Sequence, residues 1–247
     1  MKAIIPAAGY ATRMYPLTKD RPKALLLVDG KPVIDYTVER LNKLSGIDEI
    51  IVVANSRFFH LFAAWAHMHK SLIPITVLDD GTNSEEERLG SVGDIVFALK
   101  RSRIKDDVLI VNGDNIFSFD LGIFSESFKN KQVVIVLFDV GSLEIARRMG
   151  TPSLDENNKV ISFIEKDKDA MTSLCSVGVY FFSKESIETF YKYTGEGNNP
   201  DRFGDFISWL CKRKEIYGHI FSREKDYWFD VGSLDTYQAA NEFFASQ

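Results

Sequence analysis

The chain predicts an α/β fold: a three-layer α/β/α sandwich around a mixed, mostly parallel central sheet. Three observations point there. Short continuous runs rich in Val and Ile, such as "DEIIVVA" (48–54) and "QVVIVLFDV" (132–140), read as strands buried on both faces. Segments with apolar residues at helical spacing lie between them. No stretch rich in Gly, Ser or Pro and no internal repeat divides the 247 residues, so residues 1–247 read as a single domain.

In order, residues 3–6 form a first strand. A helix over 32–45 follows, with Pro32 at its first position, Ile34, Val38, Leu41 and Leu44 on one stripe, and Gly46 as its stop. Strands at 48–54, 73–78, 107–111 and 132–140 alternate with helices near 58–70, 92–101 and 120–129. This alternation implies helices on both faces of the sheet. After residue 140 the pattern loosens. "SLDENNKVISFIEK" reads as a hairpin and "CSVGVYFFS" as a strand, followed by helices near 184–193 and 205–214. A strand pair, "EIYGHIF" and "YWFDVG", and a helix capped by Ser233 close the chain.

Composition excludes several classes. The formal net charge is −5, and a phosphate backbone demands a broad basic footprint, so nucleic acid is not an expected partner. No apolar run approaches the ~20 residues that span a bilayer, and the N-terminus lacks the pattern of a secretory signal. These features lead us to expect a soluble, cytoplasmic protein. Cys175 and Cys211 stand far apart and read as two reduced thiols.

The most informative stretch is "IIPAAGYATRMYPLTKDRPKALLLV". A strand runs into Ala7, Ala8 and Gly9, where small side chains let the backbone approach a ligand and Gly9 can take a positive φ. Arg13, Lys19, Arg21 and Lys23 follow, opposed only by Asp20, a local balance of +3 in an acidic chain. Successive N–H groups in such a loop form an anion site, so a polyanion is expected here. The loop is neither a G-x-G-x-x-G fingerprint nor a Walker loop: Pro16 and Pro22 interrupt any long helix, and the further glycines are missing.

This stretch resembles the signature of the sugar-1-phosphate nucleotidyltransferases: a strand, a small-residue loop ending in Thr-Arg, then Pro-Lys. The resemblance is to the short type without an appended β-helix, and it implies a Rossmann-like nucleotidyltransferase fold. It also implies an NTP and a sugar 1-phosphate as substrates, with the N-terminal half binding the nucleotide and the C-terminal half the sugar phosphate. By the same resemblance Ala7, Ala8, Gly9 and Thr12 hold the nucleotide, while Arg13 and Lys23 are catalytic. Ala11 stands where the family usually has Gly; Ala tolerates a positive φ poorly, so the loop is expected to turn slightly differently.

"LIVNGDN" sets Asp114 just past a strand, and "WFDVGS" sets Asp230 at another strand end. The resemblance implies that these two bind Mg²⁺, an ion that takes one or two carboxylates together with substrate phosphates. It also assigns Asn112, and Gly90 and Ser91 of "RLGSVGD", to the nucleotide. Ser91 also reads as a helix N-cap, and the two readings are compatible. On the sugar-phosphate side it assigns Gly150, Gly178, and Glu165 and Lys166 of "FIEKD", although "GTPSL" after the first glycine departs from the usual continuation.

Other signals read as structural. His67 and His69 suit a solvated helix face, Asp167 and Asp169 a solvated turn, Glu85–Glu87 an exposed loop, and Tyr227–Phe229 a core or pocket wall. Three alternatives stay open. The chain could be a cytidylyltransferase acting on a non-sugar alcohol phosphate, or a glycosyltransferase of related topology, which should need a D-x-D at a strand end. It could also be a catalytically silent nucleotide-sugar-binding module, in which Lys23 or a metal carboxylate should be lost; neither is. The base, the sugar and any assembly into a homo-oligomer are left open.

Overall fold

The computed structural model describes residues 1–246. β1 (Lys2–Pro6) is followed by two 3₁₀ turns, Thr12–Met14 and Lys23–Leu25, and a small hairpin of β2 (Leu27–Val28) and β3 (Lys31–Pro32). Then come α1 (Val33–Leu41), β4 (Glu49–Ala54), α2 (Phe59–Met68), β5 (Ile75–Asp79), α3 (Ser91–Arg101) and β6 (Val108–Val111). β7 (Asn115–Phe117), α4 (Leu121–Glu126), β8 (Val133–Asp139) and α5 (Leu143–Ala146) lead to a hairpin of β9 (Gly150–Leu154) and β10 (Val160–Glu165). β11 (Leu174–Phe182), α6 (Glu188–Gly195), α7 (Phe203–Leu210), β12 (Tyr217–Ser222), β13 (Trp228–Asp230) and α8 (Leu234–Ala245) complete the order.

Among the described residues, seven strands form the central sheet in the order β12-β8-β11-β6-β1-β4-β5. β1, β4, β5 and β6 pair in parallel, as do β8 and β12; β11 runs antiparallel to both its neighbours. Side chains alternate across the pleat and divide the core in two. Ile5, Val52 and Val111 pack with Ile34, Val38 and Leu41 of α1 and Phe62 of α2. Ile4, Ile51 and Ile110 face the other way, onto Ile95 and Leu99 of α3, Phe190 of α6 and Phe206 of α7. Helices on both faces give the three expected layers. A third cluster seats α8 through Ala240 against Met14, Val28, Val33 and Val231.

The differences from the sequence reading have local causes. Pro32 is the N-cap of α1 rather than its first residue, with ψ 139°, and the helix ends at Leu41; Gly46 makes its turn later, at φ +88°. The two closing strands do not pair with each other. β12 joins the sheet edge beside β8, and β13 pairs antiparallel with β7, because the main chain of Trp228–Asp230 finds its partners at 115–117. Ser233 does cap α8, through a capping box with Thr236. His69 is not solvated: Trp65 donates to Asp35 Oδ1 at 2.7 Å, and His69 packs beside them, 3.5 Å from the same oxygen.

Candidate active site

From β1 the chain builds outward through β4 and β5, then returns to lay β6 on the other side of β1. Ligands of open α/β sheets bind at such a reversal, beyond the carboxyl ends of the strands. A cleft of about 460 Å³ opens there, lined by residues 6–13 after β1 and 112–114 after β6.

The loop after β1 is held from behind. Fully buried Asn55 donates its side-chain amide to the Ala8 carbonyl at 2.7 Å, and its Oδ1 accepts from the Phe58 N–H. Buried Thr18 donates to the Ala11 carbonyl at 2.8 Å. Ala11 takes the left-handed conformation, φ 48° and ψ 41°, so the turn usually made by Gly is made by Ala under strain. Gly9 is not at positive φ; a Cβ there would meet open space, so its lack of a side chain leaves the cleft clear. Among the described residues, none of the main-chain N–H groups of Ala8 to Arg13 donates to a protein acceptor. Six successive unspent donors make a ready anion site.

Of the four cations, Arg13 and Lys23 line the cleft. Lys19 is exposed, its carbonyl accepting from Arg57, and Arg21 borders a separate groove near Trp65. Two of the four therefore serve this site. Lys23 starts the second 3₁₀ turn and donates to Asp114 Oδ2. Burial works against its charge, but Asp114 and then Asp230 outweigh burial and hold its pKa above the ordinary lysine value.

Asp114 and Asp230 are far apart in sequence, and the β7–β13 ladder joins them. It sets Asp230 opposite Asn115, and the Val231 N–H donates to the Asp114 carbonyl at 2.9 Å. Burial first, and the Asp114 charge second, push the Asp230 carboxyl up to about 7. Among the described residues no cluster of three or more His, Cys, Asp or Glu is placed to hold a metal. Two facing carboxylates nevertheless fit Mg²⁺, which fills its remaining positions with water and substrate phosphate.

The opposite wall comes from the second half of the chain. Lys166, at φ +55° just past β10, anchors its N–H on the Met149 carbonyl at 2.9 Å and lines the cleft. Arg202, the N-cap residue of α7, lines it as well, as do Arg88 and half-buried Glu85. Sequence reasoning missed Arg202 and left Glu85 on an exposed loop. The signal available was the density of charge in "EEERLG" and "NNPDRFG", which alone does not tell a wall from a surface.

Ala7, Ala8, Gly9, Thr12, Gly90, Ser91, Asn112 and Asp114 also line the cleft. Gly90, at φ +80°, is itself the N-cap residue of α3, and a Cβ there would stand 2.5 Å from Asp201 Cα. Ser91 is not the cap expected of it: its hydroxyl donates to the Asp201 carbonyl at 3.0 Å. Gly150, Glu165, Gly178 and Asp230 lie outside the lining. A Cβ on Gly178 would meet the side-chain amides of Asn112 and Asn115, and one on Gly150 the Phe163 ring and Glu165. The Glu165 carboxylate rests against Gly204 of α7, and burial raises its pKa. Asp167 accepts from the Asp169 N–H at 2.9 Å, the expected turn.

An α/β sheet with a loop of free N–H groups, two convergent cations and two neighbouring carboxylates defines a protein whose cleft suits phosphate and a divalent cation. The profile of the nucleotidyl transferase family matches residues 2–247, and the chain belongs to that family. It is 32% identical over 246 residues to the "Putative mannose-1-phosphate guanyltransferase" of Sulfolobus acidocaldarius, covering 98% of this chain and 62% of that protein. Identity to the glucose-1-phosphate adenylyltransferase 2 of Pseudoalteromonas atlantica is 30%, covering 97% of this chain and 62% of that one. The chain thus spans less than two thirds of the length of these relatives. In fold it is similar to the crystal structure of a "Putative Glucose-1-Phosphate Thymidylyltransferase" from Bacillus anthracis solved with sucrose, with a TM-score of 0.82 and 23% identity over 98% of this chain and 94% of that one. No helix among the described residues is long and apolar enough to cross a membrane.

Proposed function

We propose that the chain catalyses NTP + sugar 1-phosphate ⇌ NDP-sugar + pyrophosphate, as one domain whose two halves supply the two walls. The observation that supports this reading is one cleft lined by Arg13, Lys23, Asp114 and Lys166 and by a loop whose six N–H groups are unspent, with Asp230 set next to Asp114 by the β7–β13 ladder just outside the lining. The names of the relatives share a hexose 1-phosphate and differ in the base, so the sugar phosphate is the better supported substrate class.

A phosphate monoester is largely dianionic at neutral pH, its second pKa lying near ~6, so the nucleophile needs no general base. The barrier is charge repulsion between two anions. The chain answers it by alignment and by fixed positive charge. Main-chain N–H groups of Ala8 to Arg13 hold the triphosphate, with Ala7, Gly9 and Thr12 shaping the loop. Arg13 stabilises the departing pyrophosphate, and Lys23 neutralises the α-phosphate. Gly90, Ser91 and Asn112 border the nucleoside. Lys166 holds the incoming phosphate, Glu165, with Gly150 leaving room beside it, meets the sugar hydroxyls, and Gly178 lets the sugar lie close. Asp114 and Asp230 would hold Mg²⁺, which when bound offsets phosphate charge between the reactants. The cytoplasm is the compartment this chemistry implies.

A pyrophosphate-release screen of the NTPs against sugar and alcohol phosphates tests the reading. Release with one NTP and a sugar 1-phosphate is expected. Silence across the whole panel would overturn it, and release only with an alcohol phosphate would move it to the cytidylyltransferase alternative.

A further inference from the structure

Beyond the phosphate grip, one buried group in the cleft has no partner. Asp94 lies in the first turn of α3, is 6% exposed and lines the cleft. Its Oδ1 is fully buried with no hydrogen-bond partner, and among the described residues no donor reaches its other oxygen. Burial, with Asp80 as the second cause, pushes its pKa up to about 8. An unpaired buried carboxyl is costly, and such groups call for an explanation.

The side-chain donors around it are already used. Thr82 donates to Asp80 Oδ1 at 2.8 Å, so the Tyr10 hydroxyl, 3.3 Å from Thr82 Oγ1, must donate to Thr82. Arg88 is spent on both carboxylate oxygens of Asp201 and on Glu85 Oε1. Ser91 is spent on the Asp201 carbonyl. The acceptors are not used: Asp80 Oδ2 and Glu85 Oε2 are also buried without partners. Asp94 and Glu85 line the cleft, with Asp80 behind Asp94, so this end presents acceptors and asks its ligand for donors.

We propose that Asp94 is the base-reading residue of the cleft and that its carboxylate selects guanine. Guanine alone among the common bases carries two adjacent donors, N1–H and the 2-amino group, which match the two oxygens of one carboxylate. Uracil and thymine set two carbonyl oxygens about a single N–H and meet repulsion. Adenine and cytosine offer an amino group beside a ring-nitrogen lone pair. The inference rests on the nucleotidyltransferase reading, which places the phosphates at Arg13 and Lys23 and the base toward α3.

The test is calorimetric binding of GTP, ITP, UTP and inorganic tripolyphosphate to the full chain and to Asp94→Asn. Measured at about pH 8.5, above the raised pKa of Asp94, hydrogen bonds to the then charged acceptor give the parent a preference for GTP over UTP of about 10–100-fold, with ITP, which lacks the 2-amino group, between them. In Asp94→Asn that ratio falls to about threefold or less, while tripolyphosphate binds as before and the thermal midpoint does not drop. A parent that binds UTP as tightly as GTP overturns the inference, as does a variant that keeps the ratio. If tripolyphosphate binds and no base is preferred, only this inference falls. If neither tripolyphosphate nor any NTP binds, the functional reading falls with it.

Discussion

Replacing Lys23 by Ala removes an ammonium that attracts both Asp114 and Asp230. Two losses follow, and they are separable. The first is catalytic. A single preorganised electrostatic stabiliser at a reacting centre is worth about 10²–10³ in turnover, or about 2.7–4 kcal/mol. The second is structural. Removing one partner of a buried ion pair costs about 3–5 kcal/mol, but solvent reaches 23% of the Lys23 side chain and 20% of Asp114, which discounts the cost to about 2 kcal/mol. For a chain of this length that lowers the thermal midpoint by about 4–8 °C. The assay is pyrophosphate release at saturating NTP and sugar phosphate, run well below the variant's midpoint, with NTP binding measured in parallel. A folded, NTP-binding variant that turns over within about threefold of the parent takes Lys23 out of the mechanism.

Three further outcomes are expected. Asp230 is held at about 7 against an ordinary 3.8, so the folded state binds its proton more tightly than the unfolded chain does, and stability falls as pH rises between those values. Without added metal, Asp230→Asn should therefore melt above the parent at pH 8 and level with it near pH 4, while its activity responds more weakly to a magnesium titration. Ala11→Gly relieves about 1–2 kcal/mol of left-handed strain and returns about 0.4–1 kcal/mol to the flexibility of the unfolded chain; differential scanning should show a midpoint higher by up to about 6 °C, and a fall would contradict the strain. In Gly150→Ala the new Cβ would stand 2.5 Å from Phe163 Cζ, an overpacking that costs about 1–3 kcal/mol. The hairpin that carries Lys166 should shift, and KM for the sugar phosphate should rise more than KM for the NTP.

The central sheet was legible because its strands are buried on both faces, and burial writes a continuous Val/Ile signal. The phosphate loop was legible because small residues and cations crowd into a short stretch. Pairing partners were not. β13 reads as a neighbour of β12, yet main-chain hydrogen bonding takes it to β7, more than a hundred residues earlier. The orientation of charged residues was not legible either. Lys19 and Arg21 have the same chemistry as Arg13 and Lys23 and face elsewhere, and nothing in local spacing tells Arg202 from a solvated arginine. Asp94 was not singled out from the helix expected near 92–101, since its lack of a partner is a property of what surrounds it in space.

The ladder between β7 and β13 has a consequence for the order in which the molecule becomes competent. A chain ending at residue 222 already contains every strand of the main sheet, the glycine-bearing loop and the first carboxylate. The second carboxylate arrives only when 228–230 are laid down and α8 docks behind them. Loosening the carboxyl-terminal tail, by trimming it or by fusing a bulky tag that lifts α8, should leave a protein that still grips triphosphate but has lost its response to magnesium.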